Sequence, residues 1–163
     1  MIDPRVRFDV GDAQSLHAAS AIFDAVVAAY VWDYAEGMQM MRHFWDAAVA
    51  LDPRASEMDE GRRFTLCNPE PLTDLFQTAG LKKVEVRAID VPTVFRDFDD
   101  YWSPFLGGQG PAPGYAMSLS EQRRAALRER VRASLPTNAK GEHHLIARAW
   151  AVRGVRLETT HLL

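Results

Sequence analysis

Only one cysteine, Cys67, occurs in the 163 residues, so no intrachain disulfide can hold the fold and no cysteine cluster is available for metal or redox work. Long apolar runs are also missing. The most apolar stretch, residues 23–32, is about half of the roughly 20 residues that a membrane-spanning helix needs. It predicts a buried element and no membrane residence. The N-terminal Met1-Ile2-Asp3-Pro4 lacks the charged-then-apolar pattern of a secretion signal. With the lone thiol, that absence predicts a cytoplasmic protein. Nor does either sign of charge dominate: 19 Lys and Arg face 22 Asp and Glu, for a formal net charge of -3. Such a chain has no broad basic surface for phosphates, which argues against a nucleic-acid partner.

The weaker constellations read plainly. Arg123, Arg124, Arg128, Arg130 and Arg132 are interleaved with Glu121 and Glu129 at helical spacing, as on a solvated helix face. His143 and His144 are adjacent, so in a strand they point to opposite faces and cannot easily chelate one ion. No metal is expected. Cys67 and His43 make a nucleophile and base only if folding joins them; an inert buried thiol is the plainer reading.

What is present suits one globular α/β domain over residues 1–156, with 47% hydrophobic and 25% charged residues. The tail, residues 157–163, fits no pattern and reads as disordered or as an addition to the natural chain. Val6, Phe8 and Val10 alternate with polar residues, which predicts a strand ended by Gly11, and Asp12 suits the N-cap of a short helix over 13–20. Residues 22–34 carry two signals. Their β-branched and aromatic content suits a strand, while Phe23, Val26, Val27, Tyr30 and Tyr34 share a helical face. The strand is favoured; a mostly helical rearrangement of residues 13–51 is the alternative.

Further on, Met38, Met41, Phe44, Trp45, Ala48 and Leu51 recur at three- and four-residue spacing and predict a helix over 36–51. Residues 52–64 read as a polar loop. Asn68 can cap a helix beginning at Pro69 and stopping near Gly80. A strand is expected over 81–94, with Pro92 marking an edge. The glycine and proline of residues 107–114 predict an irregular loop or lid. A helix from about Ser118 to Leu135, a turn over 136–141 and a strand over 145–152 close the domain.

Several motifs carry a resemblance. Gly11-Asp12-Ala13-Gln14-Ser15-Leu16 is followed by Phe23-Asp24-Ala25-Val26-Val27, then by Phe44-Trp45-Asp46-Ala47-Ala48 near a Leu-Asp-Pro. Later come Asp97-Phe98-Asp99-Asp100-Tyr101-Trp102-Ser103-Pro104-Phe105-Leu106-Gly107-Gly108 and Ala147-Arg148-Ala149-Trp150-Ala151-Val152-Arg153-Gly154. Over residues 6–154 the chain resembles class I S-adenosylmethionine-dependent methyltransferases of the small-molecule type. The resemblance implies a partial Rossmann-like sheet made of a third-strand equivalent, a fused fourth and fifth strand, and two C-terminal strands flanked by helices. In the family a glycine-rich turn after the first strand holds the cofactor and an acidic residue ends the second. Neither is in this sequence, which matches a family member truncated at its N-terminus and shortened between Val27 and Ala28.

By this resemblance S-adenosylmethionine is the cofactor and Asp12, Ala13 and Gln14 contact it, Asp12 accepting a hydrogen bond from the adenine amino group. The plain alternative makes Asp12 an N-cap only. Substrate contacts are implied for Trp32, Asp33, Tyr34, Tyr101, Trp102 and Phe105, although an aromatic cluster at such spacing also reads as core. Methyl transfer would align a small-molecule nucleophile with the sulfonium methyl and exclude water. Three readings stand: such a methyltransferase; a non-catalytic remnant that binds a small ligand or forms a homodimer, through an exposed strand or the Met38, Met41 and Trp45 helix face; or a piece of a longer active molecule.

Overall fold

The computed structural model describes residues 25–156. The predicted strand over 5–10, the helix over 13–20, the cofactor positions Asp12, Ala13 and Gln14, and the tail 157–163 lie outside that range. Among the described residues the chain is mixed α/β, with six α-helices, two short 3-10 turns and one antiparallel sheet.

Strand β1 (Ala25–Trp32) settles the ambiguous stretch as strand and removes the helical alternative for that segment. It pairs antiparallel with β3 (His143–Val155), and β3 pairs antiparallel with β2 (Lys82–Phe95), giving the order β1-β3-β2. Since β3 opposes both neighbours, β1 and β2 run parallel to each other. Parallel strands need a long crossover, and here the helices between residues 33 and 81 provide it. One irregularity interrupts β1: its register against β3 shifts between Ala28 and Val31, next to the junction where the sequence joins two strand-like segments.

Helix α1 (Gln39–Leu51) buries Phe44, Trp45, Ala47 and Ala48, as its spacing predicts. It starts three residues later than expected because the backbone of 33–38 is already committed. Asp33 N–H donates to the Arg148 carbonyl (2.9 Å), Met38 N–H to the Asp33 carbonyl (2.7 Å), and Arg148 N–H to the Gly37 carbonyl (3.0 Å). The turn thus continues the sheet pairing, and no side chain caps α1.

The polar segment 52–64 is more ordered than a loop. The Asp52 carboxylate accepts from Arg54 N–H and opens a 3-10 turn at Pro53–Glu57; Asp59 accepts from Gly61 N–H and opens α2 (Glu60–Arg63). Helix α3 (Pro69–Thr78) starts at proline as expected, but Asn68 does not cap it with its side chain and instead donates to the Thr65 carbonyl.

After β2, whose Pro92 lies on an edge strand opposite Ile146, come α4 (Phe98–Trp102) and a 3-10 turn at Ser103–Leu106. The expected loop over 107–114 is corrected in its second half, where Pro111–Ser118 forms α5. Gly110 adopts φ 89°, a conformation that few other residues tolerate, and Pro111 supplies the fixed φ of a first helical residue. Ala112 and Ala116, one turn apart, then bury the helix against the core. Helix α6 (Glu121–Ser134) opens on a Ser120 side-chain cap and buries only Leu127 and Val131.

The core lies between α1, α4, α5, α6 and the first residues of β3. Phe44 stacks on Phe105 with centroids 4.5 Å apart and meets Trp45 edge-on at 5.1 Å. Of the Met38, Met41 and Trp45 face read from the sequence as a homodimer contact, Trp45 is fully buried and Met41 packs against this cluster, while Met38 is half-buried. No helix among the described residues is long and apolar enough to cross a membrane.

Candidate functional site

The structure divides the six expected substrate contacts into two groups. Tyr101, Trp102 and Phe105 are enclosed by the core, and the Tyr101 hydroxyl is spent on the Met40 carbonyl at 2.6 Å. Burial pushes that phenol far above its ordinary pKa. These rings therefore fit the core reading. Trp32, Asp33 and Tyr34 instead lie together at the carboxyl end of β1, where Trp32 pairs with Ala149 in the middle of β3.

The turn they belong to is held from both sides. Asp33 is 3% exposed, and its carboxylate accepts from Glu36 N–H at 3.0 Å. On one side Gly37 lies so close to β3 that a Cβ there would sit 2.3 Å from the Arg148 Cβ. On the other side Arg42 of α1 donates to the Tyr34 carbonyl at 3.2 Å and forms a two-pronged pair with Asp59, both bonds 2.9 Å. Burial pulls the Arg42 pKa down, yet the bonds and charges of Asp59 and Asp46 outweigh it and the guanidinium stays firmly charged. Gly61 permits this arrangement, because a Cβ there would meet both Arg42 Nη1 and the Tyr34 carbonyl oxygen at 2.6 Å. An open cleft bordered by Ala35, Arg42, Asp46, Asp59, Gly61 and Arg62 runs alongside.

Beneath Tyr34 lies Glu60, a buried carboxyl that accepts from the Trp45 indole N–H. Burial raises its pKa, the neighbouring Asp59 adds to the rise, and its own backbone N–H, Trp45 and Arg63 counter it. The Tyr34 phenol is raised by burial first and then by the charges of Glu60 and Cys67. Its ring tilts toward that of Phe64 at 5.8 Å, and Phe64 is 43% exposed. An exposed aromatic pair of this kind can hold an apolar or cationic group against its faces.

Arg42, Asp59, Glu60, Gly61 and Phe64 were not singled out by the sequence. The Asp-Glu-Gly run at 59–61 is the signature of an aspartate cap, but nothing local connects it with Arg42, seventeen positions earlier.

The other candidates separate. Cys67 is half-buried and its thiol pKa is raised by burial and by Asp33, while the charges that act on His43 are those of Asp46 and His143. The two do not form a nucleophile and base. His143 is buried with its Nδ1 3.0 Å from the Pro136 carbonyl, while the exposed His144 pairs with Glu142 at 3.1 Å. Among the described residues no group of three His, Cys, Asp or Glu is placed to hold a metal ion. On α6, Arg128 pairs with Asp99 at 2.6 Å, and Arg128 and Arg132 lie over Phe98 at 5.1 and 4.1 Å from its centroid. They act as the covering of that ring.

No protein-family model and no curated protein matches the chain.

Proposed function

We propose that the chain is a methyltransferase-like domain that binds a small molecule near the carboxyl end of β1, in the open cleft alongside the 33–38 turn and α2. One observation carries this reading: the turn after β1 is fixed by β3 on one flank and by the Arg42–Asp59 pair on the other, with Trp32, Asp33 and Tyr34 at the end of the strand. Backbone so tightly determined beside an open cleft is what a positioned site requires.

For S-adenosylmethionine the fit is partial. The Tyr34 and Phe64 rings suit a sulfonium cation, but the described residues hold no glycine turn for the cofactor, and the one carboxylate at the end of β1, Asp33, is buried and accepts from Glu36 N–H, so no transfer step is derived through the cofactor. A second reading is a module of the same ancestry that binds a small ligand without transferring a methyl group.

Isothermal titration of the protein, its mass verified, with S-adenosylmethionine and separately with S-adenosylhomocysteine tests the first reading. Micromolar binding weakened at least tenfold by Asp12→Ala is the expected result. No heat at millimolar ligand refutes the cofactor assignment and leaves the binding module.

A further inference from the structure

Phe64 combines three properties at the candidate site: it is exposed, its ring is tilted against that of the half-buried Tyr34, and a cation already rests on it. That cation is the Arg63 guanidinium, whose central carbon lies 5.6 Å from the ring centroid. Arg63 is exposed, and among the described residues no carboxylate lies within ion-pair distance of it. What holds it is the face of the ring and the field of Glu60, which responds to its charge. Arg42, the other nearby cation, is already spent on Asp59 and Asp46. A long flexible side chain thus sits on an aromatic face next to a buried carboxyl, with no ion pair among the described residues to hold it there.

We infer that the Tyr34–Phe64 ledge is a subsite for an organic cation, an ammonium or sulfonium group of a small ligand, for which Arg63 stands in. As a statement about a substrate or cofactor this rests on the function proposed above; as a statement about binding it does not. Such a site prefers a large, weakly hydrated cation to its neutral isostere, because only the cation gains from the ring quadrupole.

The test is a titration of the whole chain with choline and, separately, with its uncharged isostere 3,3-dimethyl-1-butanol. The reporter is the Trp45 indole N–H signal in proton–nitrogen correlation spectra, assigned with Trp45→Phe. Choline should bind at least twofold more tightly than the isostere. Arg63→Ala should tighten choline at least twofold by removing the internal competitor, and Phe64→Leu should weaken it by a similar factor. Both side chains are exposed, so neither change threatens the fold. Equal affinity for the two probes, or an Arg63→Ala protein that binds choline no better, overturns the inference. Competition then separates the sources. If S-adenosylmethionine displaces choline and S-adenosylhomocysteine, which lacks the sulfonium charge, does not, the cation is the cofactor's. If neither displaces it, the subsite serves an ammonium ligand. Choline binding without any response to either adenosyl compound would keep the subsite while refuting the cofactor assignment.

Discussion

Gly61→Ala sets two effects of opposite sign against each other. Gly61 is the second residue of α2, and in a helix alanine is favoured over glycine by up to about 1 kcal/mol, so propensity alone predicts a gain in stability. Contact predicts a loss. The new methyl group would lie 2.6 Å from both Arg42 Nη1 and the Tyr34 carbonyl oxygen, closer than real Cβ contacts come, and the carbonyl is backbone fixed by the sheet. Arg42 must therefore retreat. A charge-assisted hydrogen bond is worth about 1.5–3 kcal/mol, and Arg42 would lose the one to Tyr34 and strain the two to Asp59, itself almost fully buried. The expected net loss is about 2 kcal/mol, short of the roughly 3–5 kcal/mol for deleting one partner of a buried pair. With an m-value of about 2 kcal/mol/M for urea, the midpoint should fall by about 1 M. Gly114→Ala in α5 is the control: a Cβ there meets nothing within 4 Å, so the variant should gain about 0.5–1 kcal/mol. A Gly61→Ala midpoint equal to or above that of the parent protein would refute the account of the 33–61 contact.

Other consequences are as direct. The Glu60 pKa is raised in the folded state, so the stability linked to it is fully present below the ordinary carboxylate pKa and is lost as pH rises through the folded value; Glu60→Gln should abolish that decline in urea titrations run from pH 4 upward. Phe44→Ala removes the ring that stacks on Phe105 and meets Trp45, and should cost about 3–5 kcal/mol by denaturant titration, since the fully buried site has little room to collapse. With its thiol pKa raised by burial and by Asp33, Cys67 should react with a disulfide reagent at neutral pH more slowly than free cysteine does, and the rate should climb above pH 9.

Much of the architecture is legible in the sequence because it is periodic. The spacing of Phe44, Trp45 and Ala48 marks α1, the Ser120 cap marks α6, and Pro92 places β2 at an edge. Helix α5 is not legible, because glycine and proline at 107–114 suggest irregularity unless Gly110 and Pro111 are read as a turn feeding a helix start. At the candidate site, Trp32, Asp33 and Tyr34 come from the family resemblance, which points to the end of an apolar strand. The residues that fix them do not. Arg42 and Asp59, Trp45 and Glu60 are tertiary partners with no local signature, and the short α2 that carries Asp59 and Glu60 is held by an aspartate cap and a buried pair rather than by an apolar stripe.

The strand order also bears on how the chain is made. β3 lies in the centre of the sheet yet is the last described element, and Ala25 at the start of β1 pairs with Val155 at its end. At roughly 5–20 residues per second, β1 waits on the order of ten seconds for its partner during synthesis. Over that interval Ile89 and Val91 of β2 are also without a neighbouring strand, and both stay about half exposed in the finished fold. Lys82, Lys83, Arg87, Asp90 and Pro92 line the same strand, and residues of these types keep a lone strand from pairing with another chain before β3 arrives.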